Sequence, residues 1–465
     1  MKALQVRTEP FDFLEIHELT TERYVNCHSI LKIQGIIDGG SEQEYVNHCI
    51  RNKYPQFQMI ITDEETEQVF FNGFITQFSI KNEGKLCVLT IAVTSDTYRM
   101  DLNEHLRFYQ DRNQPYKEII DGICNTYSNC NFMIKNKDVQ SLNDFTIQYL
   151  ETDWQFLKRL ASRYHSVLIP EDRTPGIHFY LGIPKLNAYE VKKDNYTLTN
   201  EIQDYHKKNS ELKMNQYDLI SYNLTDRKVY YLGDKILFNG FELYVYGVNS
   251  KLSYGELIHH YILKTKNAFQ TSYITNFSLI GASFDAVITD IVKDKVLIEL
   301  RQGENSSQSP AMEFPFSTVY SSADGTGWYC MPEKGDSARL YLPSPNESDA
   351  YVTSAIHQKS TNPNARTNPD VKSLKTRYGK EIYFTPDRIV MTNHKGDNIT
   401  IHDNSGISIE SSKNITMRAK GDISLTSVEQ TLTMNAADQV DIGQGGSRLV
   451  IDDDIAFKGG KLRME

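Results

Sequence analysis

At 465 residues, 39% of them hydrophobic, the chain is long enough for two to four domains but has no run approaching the roughly 18 to 20 apolar residues of a membrane span. Its formal net charge of −10 argues against a general nucleic-acid binder, which would show a basic patch or stripe. The opening segment MKALQVRTEPFDF breaks into charge before a secretory h-region forms, so no signal-peptide route is expected and synthesis in the cytoplasm is.

Aromatic content is high, with 28 Tyr and 21 Phe, much of it in alternating runs that suit strands. The six cysteines, Cys27, Cys49, Cys87, Cys124, Cys130 and Cys330, form no CxxC pair and are too thinly spread for a disulfide scaffold. They are read as small buried thiols, with a redox or metal pair at Cys124 and Cys130 as the alternative.

In chain order, residues 1–105 are expected to form a strand-rich barrel. FFNGFITQFSI (Phe70–Ile80) and KLCVLTIAVTS (Lys85–Ser95) alternate apolar and polar residues around the turn Lys81-Asn82-Glu83-Gly84, which predicts a hairpin. Residues 106–165 change period to a helical insertion. Ile119, Ile120, Ile123 and Tyr127 recur at helical spacing in PYKEIIDGICNTYSN. In TDWQFLKRLASRY, Thr152 or Asp153 is placed to cap a second helix. Its stripe is Trp154, Leu157, Leu160 and Ala161, with Lys158, Arg159 and Arg163 expected in water.

Strand patterns return over 166–275, a second barrel, in KVYYLGDKILF (Lys228–Phe238) and FELYVYGVNSKLSYGELIHHYILK (Phe241–Lys264). Residues 281–357 read as a compact β unit containing the meander FDAVITDIVKDKVLIELR, broken at Lys293-Asp294. Residues 358–374, polar and holding Pro363 and Pro369, read as a linker.

The tract 375–465 carries a repeat. Apolar-x-apolar pairs occur at Ile382/Phe384, Ile389/Met391, Ile399/Ile401, Ile407/Ile409, Ile415/Met417, Ile423/Leu425, Leu432/Met434, Val440/Ile442 and Leu449/Ile451, with first members 7 to 10 residues apart. Turn formers such as Asn404-Ser405-Gly406 and Lys420-Gly421-Asp422 lie between them. A short regular period is the signature of a β-solenoid. Alone, such a chain lacks core. Each pair buries two side chains worth roughly 1.5 to 3 kcal/mol apiece, against about 1 to 2 kcal/mol of backbone entropy for every residue fixed. Its strand edges also stay open. Three chains wound about one axis resolve both problems, so the fold class is mainly β with a C-terminal intertwined triple-stranded β-helix. Its inward rows are Ile399, Ile401, Ile407, Ile409, Ile415, Met417, Ile423 and Leu425. A single-chain β-helix is the alternative, but those have coils of about 20 or more residues.

Three segments carry a resemblance. YLETDWQFLKRLASRY (Tyr149–Tyr164), with Asp153 and Trp154, is similar to a hub-domain motif of the VgrG family and of the hub-and-spike proteins of contractile phage tails. RFYQDRNQPYKEIIDGI (Arg107–Ile123) resembles the adjoining segment. PFSTVYSSADGTGWYCMPEKGDSARLYLP (Pro315–Pro343), with Trp328, Pro332 and Gly335, resembles the OB domain at the neck of these spikes. The resemblance implies two hub β-barrels with helical insertions, an OB-fold neck over 281–357 and a needle over 375–465. It implies a homotrimer that matches a sixfold tail tube, with tube, baseplate and a separate PAAR-like tip protein as partners. It also implies assembly into a particle that meets the target cell envelope on firing.

Several features depart from the family's elaborated members. The interval from His357 to Tyr378 is too short for an inserted lysozyme, the chain stops at FKGGKLRME without an added toxin domain, and no His follows His402 to build an apical iron site. No catalytic residue, cofactor or metal is therefore expected. Glu64-Glu65 and Asp452-Asp453-Asp454 read as solvated faces, and His259-His260 lack zinc-site neighbours. Gly303 with Ser306-Ser307, and Gly443–Gly446, lack the helix a phosphate cradle needs and read as loops. Trp328, beside acidic Glu333 and Asp336, is expected in the neck core rather than on a nucleic-acid platform. Competing readings are an effector-carrying type VI secretion spike, a cell-wall hydrolase on a stalk, and a glycan-binding tail component.

Overall fold

The alternation between Gln5 and Lys264 folds into one hydrogen-bonded sheet of twelve strands. The computed structural model describes residues 5–63, 66–84, 86–138, 140–200, 202, 210–212, 214–305, 312–354, 360–452 and 455–458. Two compact units divide the chain, residues 1–358 and 359–465.

In the first unit, Gln5–Glu9, Gln56–Asp63, Thr66–Glu83, Leu86–Thr94, Ile30–Ile37 and Phe13–Tyr24 lie side by side, each antiparallel to the next. The predicted hairpin is among them, with Glu83 opposite Leu86. Phe13–Tyr24 then pairs with Phe241–Ser253, and the sheet continues through Glu256–Lys264, Ile220–Asp226 and Thr197–Asn200. The two halves meet where Gly247 faces Tyr24. A Cβ on Gly247 would fall 2.6 Å from the Tyr24 ring, so only glycine permits this approach. Each half keeps its own core, one around Phe57, Phe70 and Ile91, the other around Phe238, Val245 and Tyr261.

Three described α-helices accompany this sheet: α1 (Glu42–Arg51), α2 (Tyr116–Cys124) and α3 (Asp153–Ser162). Thr152, one of the two caps the sequence offers, caps α3 through a capping box with Gln155, and Asp153 is the first residue of the helix. Trp154, Leu157, Leu160 and Ala161 are buried as expected. Arg159 is not in water: it is 1% exposed, and Arg163 is largely covered. Glu151 and the sequence-distant Glu347 hold Arg159, and Glu347 also meets Arg163. The cysteines also correct the thiol reading. Cys124 and Cys130 are joined as a disulfide, and Cys27 and Cys330 are exposed.

Between Ser283 and Ser354 the described residues hold a five-stranded antiparallel sheet in the order Glu313–Pro315, Lys295–Leu300, Ser283–Val292, Ser337–Tyr341, Tyr351–Ser354. Its ends meet where Phe316 bridges Val352. Pro332 precedes the turn Glu333–Asp336, in which Gly335 takes φ +93° and donates its N–H to Ile288 O at 2.8 Å. Trp328 departs from expectation. It is 50% exposed, because its segment leaves the sheet as an outlying loop tied by Trp328 N–H to Tyr320 O.

The second unit holds a five-stranded antiparallel meander: Lys372–Lys375, Glu381–Thr385, Arg388–Thr392, Asn398–His402 and Gly406–Glu410. A three-stranded meander, Val440–Gln444, Ser447–Ile451 and Ile455–Lys458, closes the described chain. Residues 411–439 lie in no strand, so Ile415/Met417, Ile423/Leu425 and Leu432/Met434 are unpaired in the single chain. A strand persists only where a neighbour takes its N–H and C=O groups.

Candidate functional site: a charged joint and an uncovered apolar face

A two-stranded ribbon, Glu104–Tyr109 with Thr146–Thr152, sits between two cores. Strand residues alternate in direction, and here the alternation joins two bodies. Tyr109 faces α2 and α3, while Phe108, Phe145 and Ile147 enter the core of the five-stranded sheet. Phe108 meets Phe284 edge-on at 5.0 Å, and Phe145 meets Phe314 at 5.2 Å. Gly303, in a loop as expected, lies against this ribbon at φ +95°. A Cβ there would fall 2.8 Å from the Phe108 ring.

Two charge clusters reinforce the joint. Arg159 donates to both oxygens of Glu151 at 2.7 Å, to Glu347 Oε1 at 2.6 Å and to Ile147 O at 2.6 Å. Arg163 adds a contact to Glu347 at 3.1 Å. Burial alone would depress the Arg159 pKa; hydrogen bonds to Glu151 and the charge of Glu347 raise it above its ordinary value. In the second cluster Arg107 bonds Asp153, donates to Gln148 at 2.9 Å and reaches Glu304 at 2.9 Å. His105 Nδ1 also contacts Glu304, at 2.7 Å. The Asn305 side chain pairs with both backbone groups of Phe108. Asp153, fully buried, also accepts from Gln148 at 2.9 Å and from Tyr127 OH at 2.7 Å. Burial, and then this bond to Asp153, push the Tyr127 phenol well up, so it remains the donor.

The sequence singled out Asp153 and Trp154, and both lie at this centre. Trp154 Nε1 donates to Asn26 O at 3.3 Å, and its ring meets His28 at 4.8 Å, fixing α3 to the large sheet. Arg159, Arg107, Glu347 and Glu304 escaped sequence reasoning. The available signal was a guanidinium at position 159, bordering the apolar stripe.

His28 lies 2.8 Å from both Thr97 Oγ1 and Asp101 Oδ2, in the order of a hydroxyl–imidazole–carboxylate relay. Thr97 is 1% exposed and Asp101 also binds the capping Thr152, so the line anchors a helix. His259 and His260 point to opposite faces, one buried and one exposed. Gly443–Gly446 span a tight turn between strands. Glu64, Glu65, Asp453, Asp454, Ser306 and Ser307 lie outside the described residues.

In the second unit, register creates a continuous apolar face. Residues directly opposite in an antiparallel ladder share a face. One row runs Leu374, Ile382, Met391, Ile399, Ile409 and a second runs Phe384, Ile389, Ile401, Ile407. A groove of about 610 Å³ follows the first row and reaches Ile415. Among the described residues of this unit nothing covers this face: Ile407 is 71% exposed, Ile409 59% and Met417 65%, and Ile423 and Leu425 are half exposed. Among the described residues of this unit, Val390 is the sole buried hydrophobic.

The chain is thus mainly β, with a charged joint between two cores of its first unit and an exposed apolar repeat in its second. Residues 56–167 match the family described as the phage tail baseplate hub (GPD). No curated protein matches the sequence. Among solved structures, the chain is similar to the Francisella PdpA–VgrG complex (half-lidded), with TM-score 0.58 and 11% identity over 88% of this chain and 87% of that one. It is also similar to the E. coli c3393 protein, described as a type VI secretion component structurally similar to T4 phage tail proteins gp27 and gp5. That match has TM-score 0.55 and 10% identity over 75% of this chain and 99% of that one. Residues 56–167 thus carry the baseplate-hub sequence pattern, and over most of its length the chain shares its fold with these two structures.

Proposed function

We propose that this chain is the homotrimeric hub and membrane-puncturing spike of a contractile injection system, acting by mechanics rather than catalysis. In this reading residues 1–275 form the hub beneath a sixfold tail tube, 281–357 an OB-fold neck and 375–465 a triple-stranded β-helix needle. Contraction of a surrounding sheath supplies the work. The protein stays folded under axial load, bridges sixfold to threefold symmetry, and carries a separate tip protein through the target envelope.

The observation that carries the reading is the apolar face from Leu374 to Ile409, continued by unpaired Ile415, Met417, Ile423 and Leu425. Contiguous apolar surface of this extent marks an interaction site, and the periodic tract is identical in every copy. Two further copies supply both the missing core and the missing strand partners of 411–439. Sedimentation of the full-length protein tests this. A stable trimer is expected, and a stable folded monomer overturns the reading. A muralytic assay on the same material separates a passive spike from a stalk-mounted hydrolase, and no cleavage is expected.

A further inference from the structure

We propose that Cys124 and Cys130 form a reversible thiol–disulfide site whose state tightens or loosens the charged joint beside it. Cys124 ends α2 and Cys130 opens the strand Cys130–Ile134, with their Cα atoms 5.2 Å apart. That strand is the outer member of a three-stranded sheet, held in the ladder by Ile177–Leu181 alone.

The residues enclosed by the bond make the connection. Tyr127, inside the loop, donates to Asp153 Oδ2 at 2.7 Å. Asp153 holds Arg107, and Arg107 reaches Glu304 of the five-stranded sheet at 2.9 Å. Within the same loop, Ser128 accepts from Arg99 at 3.1 Å and Asn129 O from Ile177 N–H at 2.9 Å. With the loop closed, Tyr127 is presented to a carboxylate that is fully buried. Opening the bond returns conformational freedom to residues 125–129, and the Tyr127–Asp153 contact is then made less often. A buried carboxylate that loses a donor grips its remaining partners in a less defined geometry.

The chemistry needs a low-molecular-weight disulfide of the glutathione class. Cys130 is the more exposed of the two and Cys124 is buried. The Cys130 thiolate attacks the oxidant's sulfur, forming a mixed disulfide and releasing one thiolate. The Cys124 thiolate then attacks Cys130 Sγ, closing the protein bond and releasing the second thiolate. The two cysteines together lose two protons and two electrons, and the oxidant is reduced to two thiols. Excess thiol reverses both steps.

The test uses the full chain equilibrated at graded ratios of reduced to oxidised glutathione. Maleimide counting after denaturation reads the bond: four thiols are expected oxidised and six reduced, because Cys27, Cys49, Cys87 and Cys330 are free. Hydrogen exchange then compares the two forms. Oxidation is expected to slow exchange of residues 104–109 and 301–305 on the order of tenfold. Cys124→Ser/Cys130→Ser abolishes the response. Tyr127→Phe keeps the bond but uncouples the joint from it. Six reactive thiols at every ratio overturn the proposal. So does a bond that forms without changing exchange in these segments, or a response that survives in Tyr127→Phe.

Discussion

Arg159 shows how one residue decides whether the joint holds. A charge at 1% exposure is tolerable only while Glu151 and Glu347 stay in place. Removing one partner of a buried pair costs about 3 to 5 kcal/mol, far more than the pair adds over an apolar replacement. Glu347→Ala is therefore expected to lower unfolding stability by about that amount, read as a fall in urea midpoint. Surface pairs such as Lys192–Glu190 are expected to contribute near nothing when cut. His259 gives a second residue-scale prediction. Burial, and then the nearby Arg23 charge, hold its pKa down from 6.5 to about 3. A group depressed in the folded state contributes stability above its unfolded pKa and loses it as pH falls, here between about 6.5 and 3. His259→Gln is expected to flatten the acid limb of the stability–pH profile, with a slope change approaching about 1.4 kcal/mol per pH unit. An unchanged limb would show that His259 is not the group taking up the proton. Neither residue's environment was legible in the sequence. Arg159 meets Glu347 across 188 positions, and only tertiary structure brings them together. The Thr152 cap was legible, because capping depends on neighbours three residues apart.

Elements follow the same division between local and distant causes. The hairpin Thr66–Glu83/Leu86–Thr94 and both predicted helices were readable from periodicity, since turn chemistry and face patterning are local. The joining of the two strand-rich halves through Phe13–Tyr24 and Phe241–Ser253 was not, because register between distant strands leaves no trace in either alone. Trp328 shows the limit of motif reading, since its exposure depends on where its loop leaves the sheet. At this scale the second unit makes the sharpest prediction. Ile409 sits in the row with Ile399 and Met391. If that row is the dry core of an intertwined needle, Ile409→Asp places one unpaired charge per copy within it, at several kcal/mol each. Ser408, opposite Thr400, belongs to the other face. Ser408→Asp is accordingly expected to leave assembly and melting temperature unchanged, while Ile409→Asp abolishes both the heat-resistant oligomer and its cooperative melt. Equal behaviour of the two variants would mean the face assignment is wrong.

For the whole molecule, the balance of forces between copies distinguishes an apolar needle from an electrostatic one. Each chain carries a formal charge of −10, so the proposed trimer would bring 3 × −10 = −30 together, and the long-range term would oppose its assembly. Association must then rest on removing the rows of Ile, Leu and Met from water, a term that salt does not screen. Added salt shortens the Debye length from about 10 Å at 0.1 M to about 3 Å at 1 M, weakening the repulsion and leaving apolar burial intact. Dissociation on dilution is therefore expected to become harder, not easier, between 0.05 and about 1 M sodium chloride. Sedimentation velocity across that range, at concentrations low enough to populate dissociated chains, reads the shift directly. An assembly held by ion pairs between copies would respond in the opposite direction and fall apart at high salt. That result would move the source of cohesion from the Leu374–Ile409 face to the acidic and basic side chains around it.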